Sequence, residues 1–598
     1  MMKIIQSIQQ KFQSLILAGS RYPLTLLFLV VLTVYSAMLI ESSNFDNEKT
    51  YMTLLVGTML SVVAQQIYER FFSNLTERLL LMGGALLLTM LFYFLLPNET
   101  FSLELSIKVG VILFALFIAY IWIPTIKNPV PFHASFLSAF RAFFITLLFT
   151  LVLTAGSYFT LGAMNVLLFD VDGKVYIHVF NVVASLFAPL FFLSFTPPFL
   201  GKKDADLSEK QKAARKQRID EATTVSNMLN ILLSYVVIPL SAVFTIILFV
   251  YLLLNIRGSF WTDNLLEPML VSYAIETILV YLLACNLQTP AANWYRKIIP
   301  KILIPIVLLQ TIASILKINE LGVTHGRYYV ILFGFFAVVA GLIFSFLPPQ
   351  KNGWVAALLL ICSAISIMPP IDAFTVSRNN QLHRLESTLK DNQMLVDGKI
   401  QPNSSISTQD KETIIKSVDY LQQMDELSTV AWLPDTLLTK DKFKDTFGFS
   451  YSGEHTGTAA SQQVYLNNSE FLAIPVNGFD YVTSVYLSQD NGSKQQSEEL
   501  RFSSDETTYI LEMTPATSYY SFALYKETKE NNQPLLEVDP TEAFDSLLAS
   551  FSETSMTLDE ATTKVYENEQ ARLQIIVHSI NLSTDRVYLD LYLLIDIK

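Results

Sequence analysis

Residues 354–384 read Trp354-Val-Ala-Ala-Leu-Leu-Leu-Ile-Cys-Ser-Ala-Ile-Ser-Ile-Met-Pro-Pro-Ile-Asp372-Ala-Phe-Thr-Val-Ser-Arg-Asn-Asn-Gln-Leu-His-Arg384. An uncharged apolar run gives way, at Asp372, to a polar and charged segment. Upstream lie about eleven apolar runs of the length a helix needs to cross a bilayer; downstream, about 225 residues contain none. The expected fold is therefore an α-helical polytopic membrane bundle followed by a soluble α+β domain with an antiparallel sheet.

The runs fall at 22–40, 52–67, 79–96, 107–126, 136–153, 177–200, 228–256, 266–285, 302–316, 328–347 and 354–368. The first follows Lys3, Lys11 and Arg21 and precedes no small-residue cleavage site, so it reads as a retained span. Ile4, Ile5, Ile8, Phe12, Leu15 and Ile16 recur at helical spacing before it, the pattern of a helix lying in the interface. The apolar stretch 156–169 either extends the fifth span or folds back beside it.

Charge placement orients the bundle. With the N-terminus inside, the inner segments hold 17 Lys and Arg, and the outer segments and span ends hold six. Seven of the inner ones, Lys202, Lys203, Lys210, Lys212, Arg215, Lys216 and Arg218, sit in the loop 201–226 between a six-span and a five-span half. Cytoplasmic loops carry excess positive charge, so eleven spans place the C-terminal domain outside the cell.

The division also shows in composition. Mean hydropathy is +0.40 and net charge −12. Residues 1–371 carry 24 basic and 18 acidic side chains, residues 372–598 carry 17 and 35. An acidic outer domain argues against nucleic acid as a partner and against lying flat on an anionic membrane. Both cysteines, Cys285 and Cys362, fall in spans, which leaves the soluble part without a disulfide framework or a thiolate metal site.

The expected layout is a transmembrane domain at 1–371, a helical connecting segment at 372–460 and a β-rich domain at 461–598. Ser377 is the expected cap of a first helix reaching residue 395. Ser407, with Asp410 three residues on, resembles a capping box ahead of Ile414, Ile415, Val418, Leu421 and Met424. From about residue 464 the period becomes two. Strands are expected at 471–476, 481–487, 509–513 and 519–525, and at 572–580 paired with 587–597. Asp539 and Pro540 signal a helix over 541–551.

Three stretches together resemble a bacterial family of multi-pass membrane proteins, the domain of unknown function 4153. In residues 317–328, Gly322, Thr324, Arg327 and Tyr328 match the family's Tyr-Gly-x-Thr-x-x-Arg-Tyr pattern, with Leu321 in place of the aromatic residue. The others are Asp372 to Arg384 and Thr446-Phe-Gly-Phe449. The resemblance implies a membrane location and a two-part layout. It implies no activity.

Among ionisable groups, Glu276 stands out because it lies near the middle of the eighth span. A carboxylate at that depth costs roughly 2.5–3.5 kcal/mol and faces a bundle interior or an aqueous cavity. Ser272 lies four residues back on the same helical face, and Gln310 is expected at matching depth in the ninth span, where it could hydrogen-bond a protonated Glu276 as interhelical glue. Arg141 lies about 7 Å inside the fifth span, shallow enough to snorkel. Asp170 and Asp172 begin like a calcium loop whose later ligands are missing. Gly156 to Gly162 reads as a helix-packing stripe. No cofactor, metal site, Walker loop, nucleophile elbow or zinc-protease motif is expected, which leans against an enzyme. Three classes remain, in this order: a non-enzymatic envelope protein whose outer domain binds a cell-surface ligand or partner protein, a transporter or lipid flippase, and a membrane enzyme on lipid-linked substrates.

Overall fold

The computed structural model describes residues 15–41, 48–97, 102–204, 207–255, 266–427, 430–433, 440–449, 464–467, 476, 478–490, 497–504, 507–515, 519–527, 533–544, 563–582 and 586–598. The chain divides into two compact units, Met1–Phe449 and Ser450–Lys598.

The first unit is helical. Its elements are α1 (Pro23–Glu41), α2 (Glu48–Phe71), α3 (Leu75–Leu95), α4 (Leu103–Trp122), α5 (Phe132–Leu167) and α6 (Gly173–Phe195). The loop helix α7 (Glu209–Thr223) follows. Then α8 joins Asn227–Leu232 through a π-turn at Leu233–Val237 to Ile238–Asn255. After it come α9 (Leu266–Ala284), α10 (Pro290–Leu316), α11 (His325–Phe346) and α12 (Gly353–Ile367). Eleven helices among the described residues are long and apolar enough to cross a membrane. Large apolar side chains stand exposed along them, such as Leu87, Phe94, Phe159 and Leu254, an arrangement that only lipid can cover. This is a multi-pass membrane protein.

Local chemistry sets the span ends. Ser102 caps α4, Thr289 caps α10 with Pro290 in its first turn, and Asn74 with Glu77 forms a capping box on α3. The ninth span is longer than expected because α10 continues through Pro300 and Pro305. Residues 156–167 extend the fifth span. In the expected packing stripe there, a Cβ on Gly156 would meet nothing within 4 Å, and one on Gly162 would lie 3.9 Å from Tyr176 Oη of α6. Close packing occurs instead between α10 and α11, where a Cβ on Gly334 would lie 2.1 Å from Thr311 Oγ1. The bundle core is rich in buried tyrosine, including Tyr22, Tyr273, Tyr281 and Tyr295, and Tyr281 stacks on Phe344 at 3.9 Å.

Beyond the last span come α13 (Ala373–Asp391), the hairpin β1 (Leu395–Val396) and β2 (Lys399–Ile400), α14 (Thr408–Gln423) and α15 (Lys440–Phe447). Ser407 caps α14 as expected, its Oγ accepting from Asp410 N–H at 3.1 Å. The cap of α13 is not Ser377. Asp372 Oδ1 accepts from the N–H groups of Phe374 and Thr375, a stronger N-cap arrangement, and starts the helix five residues earlier. Ser377 is buried inside it, its hydroxyl donating to Ala373 O.

The second unit holds antiparallel sheets. β3 (Val464–Asn467), β10 (Ala571–Leu582), β11 (Arg586–Ile597) and β4 (Tyr481–Asp490) lie in that order, with β9 (Thr563–Glu567) also on β10. The other sheet runs β5 (Glu498–Ser504), β6 (Thr507–Pro515), β7 (Tyr520–Lys526), β8 (Leu536–Val538). Leu589, Leu591, Leu593 and Ile595 of β11 point the same way and share a core with Leu511, Met513, Phe522 and Leu524 of the other sheet. The two sheets therefore pack face to face. The expected strand at 471–475, the expected helix beyond residue 544 and the N-terminal helix over 4–14 lie outside the described residues.

Candidate functional site

A dense polar construction in the bundle unit joins α13 and α14 to the connection between α10 and α11. After α10 the chain makes one helical turn, Ile318–Leu321, and ends it on Gly322 at φ +71°. That conformation favours glycine. A Cβ there would also lie 2.5 Å from Gln381 Nε2 and 2.8 Å from Arg384 Cδ, so α13 crosses directly over the bare backbone. Gln381 Nε2 donates to the carbonyls of Leu321 and Val323, both at 3.1 Å. Asn380 Oδ1 accepts from Val323 N–H at 2.8 Å, and Arg384 Nη1 donates to Ile318 O at 3.2 Å. Ser417 of α14 donates to Gln381 Oε1 at 3.0 Å and fixes the amide's orientation.

The four motif residues meet here. Gly322 provides the turn. Thr324 Oγ1 caps α11 by accepting from Arg327 N–H. Arg327 Nη1 donates to the carbonyls of Gly322 and Lys317. Tyr328 Oη donates to Ile371 O at 2.6 Å, where the chain leaves the last span. Leu321, the departure from the pattern, contributes its backbone carbonyl, which any side chain would leave available.

A charge reinforces the joint. Asp372 is fully buried, and its Oδ1 lies 3.1 Å from Lys108 Nζ of α4; the same ammonium reaches Glu104 at 2.6 Å. Burial pushes the Asp372 carboxyl up, but hydrogen bonds from Thr375 and the Lys108 ammonium outweigh it and hold the group below the usual carboxylate range. His325 stacks on Phe374 at 5.2 Å, and its N–H donates to Tyr420 Oη at 3.3 Å.

The intramembrane candidates do not form one cluster. Glu276 is half-buried, and its Oε2 accepts from Ser241 Oγ of α8 at 3.0 Å; that hydroxyl also lies 3.0 Å from Tyr295 Oη of α10. The expected Glu276–Gln310 pair is absent. Tyr295 is level with Glu276, and Gln310 lies fifteen residues further along α10, about 22 Å away. Its neighbour Ser314 bonds Glu267, at the far end of α9. Gln310 is buried, and among the described residues neither of its amide atoms has a partner. Ser272 faces outward and donates to Pro268 O. Arg141 belongs elsewhere: Nη1 donates to the carbonyls of Glu221, Ala222 and Thr224, closing the C-terminus of the loop helix α7. Asp172 caps α6 through Lys174 N–H. Among the described residues no group of three or more metal-ligating side chains gathers.

A family model described as Domain of unknown function (DUF4153) matches residues 22–399. The chain belongs to this family. The DUF4153 match takes in all eleven spans, the glycine turn and α13, and ends at the first residue of β2; the sheets of the second unit lie beyond it. No curated protein and no solved structure matches the chain.

Several residues of these sites carry no sequence signal that singles them out. Asn380, Gln381 and Arg384 read as an ordinary polar helix face, Ser241 as a single polar residue in an apolar run, and Tyr295 as part of the polar stretch before the ninth run. One pair was readable in principle. Arg21 and Glu69 sit at adjoining ends of neighbouring spans, and they form a largely buried ion pair at 2.7 Å, joined by Gln65 and by the carbonyl of Thr196.

Proposed function

We propose that this chain is a non-enzymatic protein of the bacterial cell membrane, with its N-terminus in the cytoplasm and its C-terminal β-rich domain outside, where that domain binds a cell-surface component or a partner protein. The supporting observation is the joint on Gly322. Side chains of α13 and α14 are spent on backbone carbonyls and N–H groups, which makes the segment leaving the bundle a fixed mount. A fixed mount suits display better than it suits gating. The basic loop 201–226 supports the orientation.

A second reading, transport of a solute or lipid, draws on Glu276, a mid-span carboxylate hydrogen-bonded across three helices. Complementation of a deletion strain separates the two. Under the display reading, full-length Glu276→Gln restores the wild phenotype, as does 450–598 tethered to an unrelated single-span anchor, while 1–449 alone does not. Restoration by 1–449, or a folded Glu276→Gln chain that fails, would overturn display in favour of transport. Alkaline phosphatase fused after Lys598 is expected to be active; an inactive, intact fusion would refute the outward orientation.

A further inference from the structure

A cavity of about 320 Å³ lies where α5, the end of α6 and the loop helix α7 meet. Its polar lining includes Ser138 and Arg141 from α5, Ser194 from α6, Thr196 just after it, and Arg218 and Glu221 from α7. Its apolar wall includes Ala142, Ile145, Phe195 and Pro197. Ser138, Arg141, Ala142 and Ile145 are spaced to share one helix face.

Three features of this lining call for an anion. Ser138 is 3% exposed, and its hydroxyl has no partner among the described residues. A buried hydroxyl left so is costly unless something fills the space beside it. Arg141 uses only Nη1 on the carbonyls of α7, which leaves Nη2 and Nε available. Arg218 makes no ion pair or hydrogen bond among the described residues, whereas Glu221 is occupied by Gln217 at 2.9 Å. Two arginines and one carboxylate leave the lining with a single net positive charge.

The cavity also has a direction. One side adjoins an open, more polar cleft of about 700 Å³ that shares Arg141 and Glu221 and adds Lys216 and Asp220. On the other, the helix face continues from Ile145 to Leu148, Phe149 and Val152, all exposed, and Phe149 packs on Phe191 of α6 at 5.2 Å. A polar end beside solvent and an apolar track along the outside of two spans match a molecule with a charged head and a hydrocarbon tail. Arg141 is bonded to the end of the charged loop helix α7, and charged segments flanking spans lie where such heads reside.

We propose that this cavity binds the phosphodiester headgroup of an anionic glycerophospholipid. The phosphate sits between Arg141 and Arg218 and accepts a hydrogen bond from Ser138, and an acyl chain follows Ile145, Leu148 and Phe149. The site is independent of which way the bundle faces and of the role of the β-rich domain.

The test uses the full-length chain in detergent, titrated with phosphatidylglycerol or phosphatidylcholine and read by native mass spectrometry. Phosphatidylglycerol is expected to be retained in preference to phosphatidylcholine, and Arg218→Gln to lower its retention about fivefold with the melting curve unchanged. Equal retention of the two lipids, or a normally melting Arg218→Gln that holds wild-type levels, would overturn the proposal. So would displacement of phosphatidylglycerol by equimolar inorganic phosphate, which would mark a soluble phosphate as the ligand. Should Arg218→Gln melt early, Glu221→Gln removes the one carboxylate of the lining and is expected to raise retention about fivefold; an unchanged level refutes the proposal equally.

Discussion

Gly322 carries more of this fold than any other single residue in the joint, because its backbone conformation and its lack of a side chain are both used. Gly322→Ala would place a methyl group against Gln381 and Arg384 and impose a strained φ. The expected cost is about 1–3 kcal/mol, read as a lower melting temperature in detergent and faster proteolysis between 392 and 407. A variant that melts and resists cleavage like the wild type would mean that α13 is held by other contacts. The motif Gly322, Thr324, Arg327 and Tyr328 was visible in the sequence, but its purpose was not. A glycine needed for a crossing backbone looks the same in sequence as one needed for a turn, and its partners lie some sixty residues away. Glu276 was legible as an unusual residue for the opposite reason: depth in a span is a local property. Its partner was not legible, because the level of a residue in a returning helix depends on where that helix starts, and α10 starts at Pro290, twelve residues before the apolar run does.

Among elements, α13 shows how a cap and a charge act together. Asp372 begins the helix and at the same time neutralises Lys108 on α4, so one carboxylate fixes both the helix end and its place on the bundle. Its depressed pKa has a definite consequence. The stability it contributes is complete above the unfolded value, about 3.9, and is lost as pH falls through the lower folded value. The melting temperature of the wild type should therefore fall on acidification below about pH 4 more steeply than that of Asp372→Asn, which keeps a capping oxygen but loses the charge pair with Lys108 and should already be less stable at neutral pH by about 1 kcal/mol. Parallel pH profiles would exclude Asp372 as the group responsible. Sequence placed this helix within five residues at either end but chose Ser377 as its cap. Both residues are good caps by type; only the neighbouring ammonium decides between them. The strand pair β10–β11 was legible almost to its ends because alternation of period two is written in one strand at a time, whereas β5, with its Glu-Glu-Leu-Arg start, carries little alternation and was missed.

For the whole molecule, span number and sheet character were both legible, since bilayer thickness and strand pleat each impose a length or a period on the residues. Compactness imposes neither. The polar helices α13 and α14 look like the start of a soluble domain, yet they belong to the unit that ends at Phe449, and their partners are carbonyls that composition cannot reveal. The unit 450–598 has a core of its own drawn from both sheets, so that fragment is expected to be soluble and to melt cooperatively by circular dichroism. A soluble fragment with a gradual, featureless melt would show that its core is incomplete. The joint on Gly322 also bears on how such a protein can change over time. A socket made of backbone atoms does not specify the identity of whatever is plugged in downstream. An unrelated head could be spliced on past Phe449 without refitting the membrane bundle, and a swapped head would start from the same fixed stub.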